Sequence, residues 1–456
     1  MADGISDNRL LRLFKMHMTA NDRKLMKTTY LCGSRVVPAG VGRHSLVYVA
    51  ANKTDSKING VATCKNPWIC PVCEPKVMAK HATDIACAIE ALKEWHHQRA
   101  AMITFTIPHT SGMDCKTTLW ILRKTWEDFI IHGKKRQSHK YYLNRNSENK
   151  VLKVGKTKLK DAFSSFCEEF EIRHRVRVAE ITHGAHGWHP HYHCLFWTPA
   201  KKLQGMKDWQ DRLEQRWLEL AKRNTIKAGL DPTRVQIMYD RLNDGSKGVY
   251  ISVDDKGNVI AQESSKYIAG WGGDLELTGN YQHKASNEGH ETPRQMLDRG
   301  LETGEMDAIE LYLEFARAVK LLKMNRVSFS SRSGIRQIIE QWKKTQSYVE
   351  TLKKNLTAQL AVSGRWKVVC WFTQEQWSRI WRLNLEQEII PKILALARSP
   401  YNAFEMIAAF LRRHGIEIED NYDIVAQEPE LARQISFFEN EILNSHEACE
   451  SSAAAS

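Results

Sequence analysis

Apolar positions along the chain fall into short alternating runs in its middle and helix-spaced patterns on either side. Residues 1–60 are mixed and polar with one clear apolar run, "SLVYVAA" at 45–51, and "KVMAKHATDIACAIEALKEWHHQ" has helical spacing. "AAMITFTIPHT" predicts a strand ended by Pro108, and a helix pattern occupies 116–131. "RHRVRVAEITHG" predicts a strand, "GAHGW" a turn, and 187–197, "GWHPHYHCLFW", the second arm of a hairpin. A long amphipathic helix is expected over 203–227, and "TRVQIMYD" and "GVYISVD" are expected as two more strands. "DDKGN" reads as a turn, and the chain then passes from a short strand into a helix near Gln262. Thr292 precedes Pro293 as N-cap and first helical residue of another helix. Beyond about 303 the pattern is mainly helical, with short strands at 326–330 and 366–371.

These elements predict an α+β fold whose central five-stranded antiparallel sheet is flanked by helices. Residues 1–98 are expected as an N-terminal region with a Cys-rich module, and 99–290 as the central domain. A helical C-terminal region over 291–445, suited to binding duplex DNA or a second copy of the chain, and a disordered tail at 446–456 complete the expected order. Residues 134–160 break the pattern. They hold ten Lys or Arg, one acidic residue (Glu148), and Asn, Ser and Gly between, as a basic loop or insertion would.

Composition narrows the partners. The chain carries 66 Lys plus Arg against 53 Asp plus Glu, a net charge of +13, so a polyanion is the expected partner. No apolar stretch approaches the ~18 residues of a membrane span, and "MADGISDNRLLRLFKMHM" has no signal-peptide pattern. A cytoplasmic location follows as an expectation, and with it reduced thiols, so clustered cysteines are read as metal ligands rather than disulfides. The cluster is "CKNPWICPVCEPK", with Cys32 upstream in "YLCGS". Cys32, Cys64, Cys70 and Cys73 would close a structural zinc site, with His81 the substitute if Cys32 lies elsewhere.

Two further groups carry chemistry. His189, His191 and His193 alternate along a strand, so all three rings share a face while Pro190, Tyr192 and Cys194 take the other. A His-x-His pair spans about 6.5–7 Å and can converge on one divalent ion. The preceding strand offers Glu180 as a carboxylate beside the pair, a set suited to Mg²⁺ or Mn²⁺ holding a phosphate. In "ESSKY", Glu263 and Tyr267 are spaced i, i+4 and share a helix face, with Lys266 one step round. A tyrosine hydroxyl can attack phosphorus when a base takes its proton.

"FTIPH", "GWHPHYHCL" and "ESSKY", in that order, resemble the three motifs of plasmid rolling-circle replication initiators of the HUH endonuclease superfamily. The Cys-x5-Cys-x2-Cys segment, "TPRQMLD" and "VSFSSRSGI" resemble the large single-tyrosine family of those proteins, over about 60–340. The resemblance implies a ferredoxin- or RRM-like sheet, His191 and His193 as metal ligands, Tyr267 as the nucleophile and Glu263 as the activator of water in the closing step. Glu180, or else His189, is the third ligand. Lys266 is expected on a phosphate.

The implied activity is nicking of one strand at a plasmid's double-strand origin, leaving a 5′-phosphotyrosine and a 3′-OH primer. The implied partners are origin DNA, duplex and single-stranded, and a host helicase and DNA polymerase, since the chain has no P-loop; a homodimer is possible and no membrane is involved. Lys134, Lys135, Arg136, Lys156, Lys158 and Lys160 would hold the DNA backbone. Trp188, Tyr192 and Trp197 are candidates to stack on unpaired bases. Alternatives are a transposase or relaxase of the same superfamily, or a non-catalytic zinc-containing DNA-binding regulator.

Overall fold

A computed structural model describes residues 4–34, 36–37, 46–51, 53, 56–131, 137–141, 153–157, 162–240, 248–262, 290–330, 334–345, 367–382, 386–399 and 402–418. The expected tail at 446–456 and the "ESSKY" helix lie outside the described residues. Among those described, no helix is long and apolar enough to cross a membrane.

The chain forms two compact units, each assembled from separated segments. One comprises Ala79–Met296 and Glu310–Ile339; the other comprises Met1–Met78, Leu297–Ile309 and Glu340–Ser456. The division differs from the linear order of domains expected from the sequence. The reason is strand pairing: β1 (Leu46–Ala51) is flanked by β2 (Ser56–Asn59) and by a strand from the far end of the chain, Lys367–Thr373. The short strand expected at 366–371 is present and belongs to this sheet. All six residues of β1 are buried, so both its hydrogen-bonding edges and both its faces need cover. The apolar cluster formed there joins Val47, Val49, Cys370 and Phe372 to Trp377, Ile380, Ile389, Ile393, Ile407 and Leu411 from three helices.

The other unit is the α+β body. Its strands are β3 (Gln98–Thr106), β6 (Arg175–Gly184), β7 (Gly187–Pro199), β8 (Val249–Ile251) and β10 (Val327–Phe329), all antiparallel, in the order β10-β6-β7-β3-β8. A two-residue strand, β9 (Ala261–Gln262), also pairs with β3. The five-stranded antiparallel sheet expected from the pattern is present.

Alternation divides the sheet's faces. Phe105, Tyr192 and Phe196 are fully buried on one face against the helices Cys115–Ile131, Ala162–Glu169 and Gln210–Lys227. The Phe105 ring lies 5.0–5.5 Å, centroid to centroid, from Trp126, Phe129 and Trp217, in tilted and edge-on arrangements that suit aromatic quadrupoles. Residues one position along, among them His191, His193 and Thr104, take the opposite face.

Two local expectations are corrected. "TRVQIMYD" is a helix, Pro232–Asp240, not a strand. Asp231 accepts a hydrogen bond from the Arg234 backbone N–H at 2.9 Å, Pro232 opens the helix, and Val235 and Tyr239, at i, i+4, are its buried side. The basic segment is not simply a loop: β4 (Gln137–Tyr141) and β5 (Lys153–Thr157) form an antiparallel pair. The helix Pro293–Thr303 starts as expected, with the Gln295 N–H donating to Thr292 Oγ1 at 3.3 Å and the Thr292 N–H to Gln295 Oε1 at 2.8 Å.

Because Phe105 is the hub of this aromatic packing, Phe105→Ala is expected to destabilise the α+β unit by about 3–5 kcal/mol. Chemical denaturation followed by tryptophan fluorescence measures it.

Candidate metal centres

The β6–β7 hairpin turns tightly through Ala185 and His186, with Gly184 paired to Gly187. Gly187 has φ +87°, and a Cβ there would sit 2.9 Å from the Ser111 backbone, so only glycine fits. This turn sets the register that places Glu180 directly opposite His191 and Val178 opposite His193. On the other side of β7, β3 places Thr106 opposite His191 and Thr104 opposite His193.

The consequence is a compact trio. Glu180 Oε2 lies 3.0 Å from His191 Nε2 and 2.9 Å from His193 Nε2, and the two nitrogens are 3.0 Å apart. Ligand atoms at right angles around an ion at about 2.1 Å are separated by about 3.0 Å, as on one face of an octahedron. The trio therefore fits a divalent cation and would leave the opposite coordination positions to other ligands. Glu180 is the carboxylate the hairpin brings in; His189 is not among the three atoms that converge.

Electrostatics agree with this arrangement. Burial alone would raise the Glu180 carboxyl, but the hydrogen bonds with His191 and His193 outweigh it and hold the group well below the ordinary carboxylate value. His193 is further fixed from behind, with Thr104 Oγ1 2.9 Å from its Nδ1. With a cation at the trio, Nδ1–H would donate to the hydroxyl oxygen, the tautomer that points the Nε2 lone pair at the ion. Among the described residues His191 Nδ1 and the facing Thr106 Oγ1 are both buried without a hydrogen-bond partner, so His191 is the less constrained ring.

More histidines lie alongside. The His189 ring is 4.8 Å from His109, 5.3 Å from His191 and 6.0 Å from His290. His290 arrives because Glu291 bridges to His183 at the end of β6. Burial pushes His189 down to about 3 and lowers His109, so both are neutral near pH 7. His109 was visible in "FTIPH", but nothing in the local sequence tied it or His290 to His189.

The four cysteines also converge. Cys32 Sγ lies 3.5 Å from Cys73 Sγ and 3.6 Å from Cys70 Sγ, and Cys64 Sγ lies 3.6 Å from Cys73 Sγ. A tetrahedron of thiolates at about 2.3 Å from zinc has edges of about 3.8 Å, close to these separations and far from a disulfide's ~2.05 Å. The set could therefore bind a metal such as zinc. His81 is not among its ligands.

Local chemistry shapes the loop. Asn66 Oδ1 accepts from the backbone of Trp68 and Ile69, and the Cys73 and Glu74 N–H groups both donate to the Cys70 carbonyl. Lys15 Nζ donates to the Cys32 carbonyl at 3.0 Å. Hydrogen bonding from neighbouring thiols lowers Cys32 and Cys73, and the same contacts raise Cys64 and Cys70. A cation would let all four serve as thiolates.

Other predicted site residues do not join these clusters. Trp188, Tyr192 and Trp197 are buried, and burial pushes the Tyr192 hydroxyl up to about 12. They are core, not base-stacking surfaces: Trp188 stacks on Phe315, Tyr192 packs edge-on against Trp126, and Trp197 is fully buried. Glu263, Lys266, Tyr267, Lys134, Lys135, Arg136, Lys158 and Lys160 lie outside the described residues; Lys156 lies on β5. Comparison of the chain with protein-family models, curated proteins and solved structures finds no match.

Two measurements check the centres. Elemental analysis of purified protein is expected to find zinc in the wild type and to lose it in Cys73→Ala. Calorimetric titration with Mn²⁺ is expected to weaken about 10- to 100-fold in Thr104→Val, with Thr104→Ser close to wild type.

Proposed function

We propose that the chain is a metal-dependent, site-specific single-strand DNA endonuclease and strand transferase that initiates rolling-circle replication of a plasmid. The observation that carries this reading is the convergence of Glu180 Oε2, His191 Nε2 and His193 Nε2 on the sheet face opposite the aromatic core. A divalent cation such as Mg²⁺ or Mn²⁺, held by these three atoms, supplies positive charge against a phosphodiester. The net charge of +13 favours a polyanionic substrate.

The chain's own residues then divide the work. Glu180 and the Thr104–His193 hydrogen bond fix where the phosphate sits. Tyr267 is the nucleophile: its phenol gives up its proton to water, the phenol oxygen bonds to phosphorus, the bond from phosphorus to the 3′ oxygen breaks, and that oxygen takes up a proton from water. A 5′-phosphotyrosine and a 3′-OH primer result, and the phosphotyrosine stores the energy for rejoining, so no nucleotide triphosphate is consumed. Glu263 takes a proton from water when the regenerated site is cleaved at termination. Lys266 contacts phosphate.

The remaining parts support the same task. The cysteine cluster, loaded with zinc, has a structural role, since four protein ligands leave no open position. Lys156 and the neighbouring basic residues of 134–160 supply salt-dependent contacts to the DNA backbone. A host helicase unwinds the duplex and a host polymerase extends the primer.

On supercoiled plasmid carrying the origin, Tyr267→Phe is expected to abolish both the nick and the covalent protein–DNA adduct, and EDTA to abolish the nick. Glu263→Ala is expected to nick but to release few closed circles. A wild-type protein that never forms a covalent adduct refutes the enzymatic reading and favours a zinc-containing DNA-binding regulator.

A further inference from the structure

The buried positions of Trp188, Tyr192 and Trp197 leave open where an unpaired base would rest beside the trio. Edge strand β8 supplies a different aromatic. Its central residue, Tyr250, pairs with Thr104, which in turn pairs with His193. The three residues form one row across three strands.

Directly paired residues of an antiparallel sheet point to the same side. The flanking residues settle which side this is. Val249 and Ile251 are fully buried with Phe105 and Ile103 on the helix-covered face, so Tyr250 stands on the face of Thr104 and His193. Two strand spacings separate Tyr250 from His193, about 10 Å between Cα atoms.

Tyr250 is 46% exposed. Among the described residues it forms no ring contact or side-chain hydrogen bond with another residue. A broad, flat ring held on a rigid strand loses little conformational entropy when it is covered. Base-on-aromatic stacking contributes about 1–3 kcal/mol per base and is open to any base, since every base has a π-face. A duplex offers no such partner, because its bases are already stacked on one another.

We propose that Tyr250 is the platform on which an unpaired nucleobase stacks, next to the phosphate held at Glu180, His191 and His193. This rests on the reading of that trio as a phosphate site and adds the positioning of the single strand over it. The contact makes β8 a discriminator between single-stranded and duplex DNA at the nick site, with little choice among bases.

The experiment uses the full-length protein and a fluorescein-labelled oligothymidylate, with binding followed by anisotropy at fixed ionic strength. Tyr250→Ala is expected to bind the single strand about 5- to 150-fold more weakly, and Tyr250→Phe to bind within about 2-fold of wild type. Binding to a labelled duplex and titration with Mn²⁺ are expected to be unchanged in both variants, showing an intact site. Tyr250→Ala binding as tightly as wild type overturns the inference alone. So does Tyr250→Phe losing the covalent adduct with origin DNA, which would make the hydroxyl, not the ring, the working part. Wild type failing to bind any single strand overturns the phosphate-site reading itself, and this inference with it.

Discussion

The register of three antiparallel strands governs this chain. β6, β7 and β3 are paired so that Glu180, His191 and Thr106 form one row, and Val178, His193 and Thr104 the next. A slip of one residue would turn every one of those side chains to the opposite face, exchanging the trio for Tyr192 and its apolar neighbours. Two features oppose the slip: the tight turn at Gly187, and the aromatic packing of Phe105, Phe129, Phe196 and Trp217 beneath the sheet. The hydrophobic core is thus the device that aims the polar site. The placement of three ligand atoms is inherited from rings on the other face of the sheet.

Strand pairing explains why some of this was legible in the sequence and some was not. Alternation alone put His191 and His193 on one face, and the short "GAHGW" turn made Glu180 a cross-strand neighbour, so the trio could be read from the fourteen residues 180–193. The cysteine spacing was equally local, except for Cys32. Thr104 was not legible, because its role depends on pairing with a residue 89 positions away. Nor was the partner of β1, which comes from residues 367–373. The misread of 232–240 has a local cause: four apolar residues in eight can serve a strand or a short amphipathic helix, and the Asp231–Pro232 start decides for the helix. The aromatics at 188, 192 and 197 misled because strand position says which face a ring takes, not whether another layer covers it.

The polar end of the sheet also shows how titratable groups are accommodated. Neutral imidazoles at His109 and His189 line the approach without adding positive charge of their own. The Glu180 carboxylate is buried but compensated by two nitrogens. An isolated buried carboxylate would be protonated instead, and a protonated carboxyl is a poor cation ligand. Glu180 therefore depends on the two histidines for its ionisation state.

The central place of β1 in its three-stranded sheet has a practical side. Cys32 and Cys64 bracket β1 and β2, so a shared metal ion closes a loop around both strands, while β11 (Lys367–Thr373) covers the edge that β2 does not. A fragment that stops before residue 367 would keep all four thiols yet leave a fully apolar strand with a bare row of N–H and C=O groups. Such an edge recruits other copies of itself. Dissection of this protein into a soluble N-terminal piece is therefore a topological problem: the two ends of the chain have to be kept together, or the exposed edge of β1 has to be blunted by a charge or a proline.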